Sequence, residues 1–224
     1  MSNLSPKVHI ISHPIARAKL SIVRNKLTGN REFRESISDL GYILALEASR
    51  DLEEKTFDGS TPVGDFTGSE IVPSIGLLPI MRAGIGMVDP FLRLLPDARV
   101  YHLGLFREKV SLQPVECECF TTLYYSKLPS TPNVDHVFLL DPVVATGGTA
   151  CAALQMILDW GVPIEKVKLL SILGSREGIT AVSKQFPNLE IWTIAIDPIL
   201  TQQGIIVPGL GDVGDRLNNT PNAH

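Results

Sequence analysis

The sequence predicts an α/β protein, a central and mainly parallel sheet flanked by helices. Three observations predict it. From residue 71 to residue 196, short apolar runs alternate with helical patterns of about 10–12 residues, which is how βαβ units read. Glycine and small residues cluster where one of those runs meets a helix, the junction at which open α/β sheets bind ligands. The composition, 44% hydrophobic and 20% charged over 224 residues, is that of an ordinary globular chain. A chain of this length buries roughly 70% or more of its unfolded surface, so its core needs no staples.

The elements follow in order. Residues 14–27 place Ala16, Leu20, Val23 and Leu27 at helical spacing, and Thr28, Gly29 and Asn30 stop that helix. A second helix carries Phe33, Ile37, Leu40, Leu44 and Leu52 on one stripe. Residues 58–68 hold Gly, Pro, Ser and Asp at turn density and read as a hairpin or loop. Residues 74–81 read as a buried strand and 89–95 as a helix; 99–106 and 116–125 are strands. A strand at 137–140 leads to a helix at 149–160 that Gly161 closes. A strand at 167–173 leads to a helix at 176–186 that Pro187 closes, and 190–196 is the last central strand. Residues 197–220 are loop-rich, with Gly204, Gly209, Gly211 and Gly214 close together. One domain spans 1–224, its core roughly 70–197.

Charge and motifs exclude several classes. With 20 Lys and Arg against 24 Asp and Glu, the net charge of -4 argues against a general binder of nucleic acid or of membrane surfaces. No apolar run reaches the roughly 18 residues of a membrane span, and the first residues are polar and short of a leader's apolar stretch. The three cysteines, Cys117, Cys119 and Cys151, are an odd count that suits a reducing compartment, so the expected location is cytoplasmic. Cys117 and Cys119 read as two thiols on one strand face, and Cys151 as a small core residue in an Ala-rich helix. His9, His13, His102 and His136 form no catalytic pattern, and there is no G-x-S-x-G or H-E-x-x-H motif.

Four segments carry chemistry. The first is Asp141, Pro142, Val143, Val144, Ala145, Thr146, Gly147, Gly148 and Thr149, between a strand and an amphipathic helix. Small residues leave backbone N–H groups bare beside a helix N-terminus, which makes an anion cradle. The Thr146 and Thr149 hydroxyls add donors, and Asp141 is placed to accept hydrogen bonds from sugar hydroxyls, so the segment suits a ribose 5-phosphate. It is not a Walker A loop, because no Lys precedes Thr149; a glycine-containing helix cap without a ligand is the plainer alternative.

The second segment, P-G-L-G-D-V-G-D-R at 208–216, contains G-x-G-x-x-G but opens no βαβ unit, so it is not a dinucleotide fingerprint. It reads as a loop offering backbone groups to a flat polar ligand, or as a glycine-rich turn. The third, R-A-G-I-G-M at 82–87, puts the Arg82 guanidinium on the same strand-end rim as Asp141, for bidentate phosphate binding or for pairing with a surface carboxylate. The fourth is Arg107, Glu108 and Lys109, whose two cations could close over a diphosphate, although a solvated loop explains them as simply.

Together these segments resemble the uracil phosphoribosyltransferases, a branch of the type I phosphoribosyltransferases. The run at 141–149 is similar to that family's loop for 5-phosphoribosyl diphosphate (PRPP), usually D-P-M-L-A-T-G-G-S, and 208–216 to its uracil-binding segment. Residues 82–87 resemble its diphosphate loop, and Y-Y-S-K-L-P at 124–129 and F-R-E at 33–35 also fit. The resemblance implies a type I fold with a small hood formed by the terminal segments, which also supply dimer contacts. It implies transfer of phosphoribosyl from PRPP to N1 of uracil, giving UMP and diphosphate, with Mg2+ carried by PRPP rather than by direct protein ligands.

By position, Asp141 and 142–149 would hold the ribose 5-phosphate part of PRPP, and Arg82 and Arg107 the diphosphate. Ile206, Gly211, Asp212 and Val213 would line the uracil site, with Asp212 also touching PRPP; Asp212, Arg107 and Arg82 would be the catalytic groups. The implied partners are PRPP and uracil and a second copy of the chain, as a homodimer or higher oligomer, with no nucleic acid and no membrane. The chain departs from the family at 107–111, R-E-K-V-S where R-N-E-E-T or R-D-E-E-T is common, and Lys109 there supplies a second cation. That departure keeps a reading of another class open, a PRPP- or UMP-binding regulator with weak or no transferase activity; a phosphoribosyltransferase for another base is disfavoured by 208–212.

Overall fold

A computed structural model describes residue 5 and residues 7–107 and 121–220, with the backbone alone at 106–107 and 121–124. In chain order it has β1 (Val8–Ile10), α1 (Pro14–Arg24), α2 (Asn30–Ala48), β2 (Glu54–Thr61), β3 (Gly64–Ile71) and β4 (Ile75–Met81). A 3-10 turn (Ala83–Met87) leads into α3 (Val88–Leu94), β5 (Arg99–Val100), β6 (Leu103–Arg107) and β7 (Thr121–Ser126). Then come β8 (His136–Leu140), β9 (Val143–Val144), α4 (Gly148–Trp160), β10 (Val167–Ser175), α5 (Arg176–Gln185) and β11 (Glu190–Asp197). The chain closes with β12 (Ile199–Leu200), β13 (Ile206–Val207) and α6 (Val213–Asn218).

The main sheet runs β1-β11-β10-β8-β4-β6-β7, with β5 beside β4 and β9 beside β10. Every described pairing in it is parallel except β6 with β7. From β4 the chain steps outward to β6 and β7, then returns to β8 on the other side of β4 and continues to β10 and β11. The reversal therefore falls between β4 and β8, and the crevice outside the carboxyl ends of those two strands is where such a sheet binds ligands.

Both faces of the sheet are covered, so the central strands alternate between two cores instead of between core and water. Phe138 and Leu140 of β8 join Phe33, Ile37, Leu40 and Leu44 of α2 on one face. Val137 and Leu139 join Ala153, Leu154 and Ile157 of α4 and Ile179 and Val182 of α5 on the other. Cys151 is a half-buried member of that second core, and burial pushes its thiol up.

Several boundaries differ from the sequence reading. The first helix stops at Arg24, because the Asn25 side chain accepts the Leu27 N–H at 2.9 Å and its carbonyl accepts the Thr28 N–H at 3.2 Å. That turn throws Leu27 outward, 81% exposed, off the predicted stripe. The second helix ends at Ala48, so Leu52 is buried beyond it instead of on it. The predicted strand 99–106 is two pieces, and 58–68 is part of a longer hairpin, β2 with β3. The edge strand β1 and the short elements β9, β12, β13 and α6 were not expected. Of the predicted strand 116–125, residues 116–120 lie outside the described residues.

His13 caps α1, its Nδ1 accepting the Ile15 N–H at 3.2 Å, and Pro14 follows at the first helical position, where its missing N–H costs nothing. Helices α1 and α2 pack together, and α2 also packs against α6, so segments from both ends of the chain meet beside the sheet.

Candidate active site

Because β4, β6, β8, β10 and β11 run parallel, Arg82, Arg107, Asp141, Ser175 and Asp197 all stand at the same rim. The turn after β4 lies directly against the end of β8: a Cβ on Gly84 would sit 2.4 Å from the Leu140 carbonyl oxygen. Only glycine permits that approach, and it brings the Arg82 loop beside Asp141. The Met81–Arg82 peptide is cis.

The loop from Asp141 to Thr149 is stitched to β10 by its backbone. The Asp141 N–H donates to Leu170 O at 3.1 Å, and Pro142 O accepts the Ile172 and Leu173 N–H groups at 3.1 and 3.0 Å. Pro142 and Val144 are buried, so either would meet a ligand only through its backbone. Gly147, left-handed at φ 86, is the N-cap of α4 and makes no side-chain cap, and the first N–H groups of any helix lack partners within it. The start of α5 supports the turn from below. Ser175 Oγ donates to Ala145 O and accepts the Gly178 N–H at 2.8 Å. A Cβ on Gly178 would lie 2.1 Å from Ala145 O, so only glycine lets the loop rest there. No acidic side chain beyond Asp141 stands within 141–149, and the Thr146 Oγ1 accepts the Gly148 N–H at 3.4 Å.

The second glycine segment is held by charges. Asp197 at the end of β11 takes both arms of Arg24, at 2.7 and 2.8 Å, and accepts the Gly209 N–H at 3.0 Å. Arg24 also donates to Gly209 O at 3.0 Å, so one ion pair grips both polar groups of that residue's peptides. Burial by itself would raise the Asp197 carboxyl, but Arg24 and the Gly209 N–H outweigh it and hold the group below its ordinary value. Arg216 donates to Leu210 O at 2.8 Å, to Asn25 O at 2.9 Å and to Val23 O, with its guanidinium 4.0 Å over the Phe33 ring. Burial lowers its pKa, yet a guanidinium stays charged there. The Gly209 and Leu210 carbonyls are occupied, the Asp212 carbonyl accepts the Arg216 N–H at 3.0 Å, and Pro208, Gly211 and Asp212 are the exposed residues of the segment.

Asp212 caps α6, accepting the Asp215 N–H at 2.8 Å. Arg82 reaches the same turn: its Nη2 donates to Asp215 Oδ1 at 2.8 Å and its Nη1 to Thr220 Oγ1 at 3.3 Å. Arg82 thus does pair with a carboxylate, one that belongs to the 208–216 segment and not to the outer surface. The structure brings Arg82, Asp212 and Val213 into one neighbourhood, and the 141–149 loop to the same rim. The Ile206 and Val213 side chains turn into the core, 6% and 4% exposed, so they could serve a base only through their backbone. Arg107 ends β6 at the rim, and its side chain is not described; residues 108–111, Cys117 and Cys119 lie outside the described residues. Sequence reasoning passed over Arg24, Asp197, Ser175, Gly178, Asp215 and Arg216 as site-building residues. For Asp215 a signal existed, since it is the second acid of the glycine motif itself.

A family model described as uracil phosphoribosyltransferase matches residues 10–220. The chain belongs to that family. A curated relative, the uracil phosphoribosyltransferase of Roseiflexus castenholzii, is 44% identical over 96% of this chain and 99% of its own length. Among solved structures, the AQ2163 protein from Aquifex aeolicus is 32% identical with a TM-score of 0.83, covering 94% of this chain and 97% of that one. An adenine phosphoribosyltransferase from Trypanosoma brucei, solved with AMP, pyrophosphate and ribose-5-phosphate, is 16% identical with a TM-score of 0.52 over 89% of this chain and 87% of that one. At that identity it speaks for the fold, which is the type I phosphoribosyltransferase fold.

Proposed function

We propose that this member of the uracil phosphoribosyltransferase family transfers phosphoribosyl from PRPP to N1 of uracil, releasing diphosphate and forming UMP. The observation that supports it most is the shared neighbourhood of Arg82. Its loop abuts the end of β8 and Asp141, while its guanidinium reaches the segment that would read the base. On this reading the diphosphate, sugar and base would meet at the β4/β8 reversal.

In this reading Asp141 accepts the ribose hydroxyls, and the backbone of 145–149 with the Thr146 and Thr149 hydroxyls holds the 5-phosphate at the head of α4. Arg82 and Arg107 hold the diphosphate. The C1–O bond to diphosphate breaks as the C1–N1 bond forms, and the N1 proton passes to the departing diphosphate or to water. The two arginines offset the charge that gathers on the departing oxygen, and positioning of the base against C1 supplies much of the remaining acceleration. The Gly211 backbone, with the Asp212 and Val213 N–H groups, reads uracil's carbonyl and N–H edge, and a cytosine amino group would leave those groups mispaired. Asp212 also reaches PRPP.

The donor set at the rim, a carboxylate and two hydroxyls, suits a hard cation that keeps most of its waters and rides on substrate phosphates. Mg2+ would be held by the PRPP phosphates without direct protein ligands, with Asp141 adding negative charge nearby, and would supply neutralisation of the diphosphate charge. The whole of 1–224 acts as one domain in this proposal, the terminal segments forming the hood. It works as a homodimer or higher oligomer in the cytoplasm; the exposed Ile15, Tyr42 and Leu46 on α1 and α2 support self-association there. No described helix is long and apolar enough to cross a membrane. Radiolabelled uracil with PRPP and Mg2+ should yield UMP; no UMP above a blank, with PRPP binding intact, would sink the transferase and leave the regulator.

A further inference from the structure

We infer that Asp215 is a positioning residue for Arg82, setting the guanidinium that meets the diphosphate; the inference rests on the assignment of Arg82 to that role. The Asp215 side chain is 10% exposed, whereas Arg82 is 55% exposed. A carboxylate that far from water needs a cation, and it pairs with Arg82, which comes from the turn after β4. The link is three-cornered. Asp215 Oδ1 accepts from Arg82 Nη2 at 2.8 Å and from Thr220 Oγ1 at 2.7 Å, while Thr220 Oγ1 accepts from Arg82 Nη1 at 3.3 Å. Two of the five guanidinium N–H donors are committed to this contact, which fixes the plane of the fork and leaves the others for phosphate oxygens.

Asp215 is held in turn. It lies in the first turn of α6, and its N–H donates to the Asp212 carboxylate that caps the helix. Gly214 stands between: a Cβ there would come within 3.4 Å of Arg82 Nη2 and 3.2 Å of Asp212 Oδ1. The second acid of the glycine motif therefore orients the arginine of the diphosphate loop, and a long flexible side chain reaches the site already ordered.

The test compares Asp215→Ala, Asp215→Asn and Arg82→Ala, alone and as the Ala–Ala double variant, in PRPP and uracil kinetics, with melting curves for each. A charged hydrogen bond of this kind is worth about 10- to 100-fold in PRPP KM on Asp215→Ala, with uracil KM moving less than about twofold. Asp215→Asn, which keeps an acceptor for Arg82 and Thr220, should fall between wild type and Asp215→Ala. In the Arg82→Ala background the second substitution should change PRPP KM by less than about twofold, because the two residues act as one unit. If Asp215→Ala does not fold, Asp215→Asn and titration of the folded variants with magnesium diphosphate give the same comparison. Equal changes in both substrates, or multiplicative effects of the two substitutions, overturn the inference. If Arg82→Ala leaves PRPP KM unchanged, the assignment of Arg82 fails first and takes the inference with it; if Arg82→Ala weakens PRPP and Asp215→Ala does not, only the inference fails.

Discussion

The two glycine-rich segments reach the same rim by opposite means. The 141–149 loop is seated by backbone hydrogen bonds and by contact of Gly178 with Ala145, using hydroxyl groups and small residues. The 208–216 segment is seated by Arg24, Asp197 and Arg216, the charges of which are spent on its own carbonyls and N–H groups. A cradle for a phosphate gains by having bare N–H groups and little fixed negative charge nearby, so backbone must hold it. A reader of a neutral base can tolerate charges close by, provided each is paired and turned inward.

The largest effect should follow removal of a clamp. Arg24→Ala strands Asp197 without its cation and Gly209 O without its donor, which should destabilise the fold by about 3 kcal/mol in urea unfolding. Uracil KM should rise well before PRPP KM does if the loosened residues belong to the segment proposed to read the base. Parallel rises in both would break the contrast between the segments.

A smaller effect is expected on the other side. Gly178→Ala drives a methyl group into Ala145 O and should cost about 1–3 kcal/mol, the usual range for overpacking. Here PRPP KM should rise while uracil KM holds. A variant that binds PRPP normally would mean that the loop does not depend on α5 for its seat.

The first segment was legible in the sequence because everything it needs is contiguous: a strand end, small residues and a helix start within nine positions. The β/α alternation was legible for a similar reason, since periodicity is a local signal. The clamps were not. Arg24 is 173 residues from Asp197 and 185 from Gly209, and one arginine at the end of a helix looks like any other. Edge strand β1 escaped because three residues, one of them His9, show no alternation; His9 is in fact stacked on Trp192. The six-residue α6, with Gly214 inside it, has too little length for a helical pattern, and its existence depends on the Asp212 cap and on packing against α2. Cys117 and Cys119 and the unusual 108–111 stretch stay as sequence readings, outside the described residues.

The finest test of the contrast uses acid. Asp197 is held below its ordinary value in the fold, so its contribution to stability is present above the unfolded value and is lost as pH falls through the lower folded value. In Arg24→Ala the chief opposing influence, burial, is left to dominate, and the same carboxyl is pushed up. The variant's deficit against wild type should therefore be greatest near neutrality and shrink as pH drops from about 6 to about 3, in urea melts taken at each pH. Asp51 and Asp135 also lie below their ordinary values, but both proteins carry them and they cancel in the difference. Gly178→Ala introduces no charge and disturbs a loop seated by uncharged groups, so its deficit should stay level across the same range. An Arg24→Ala deficit that is equally level would show that the 208–216 segment is held by packing and that its ion pair adds little.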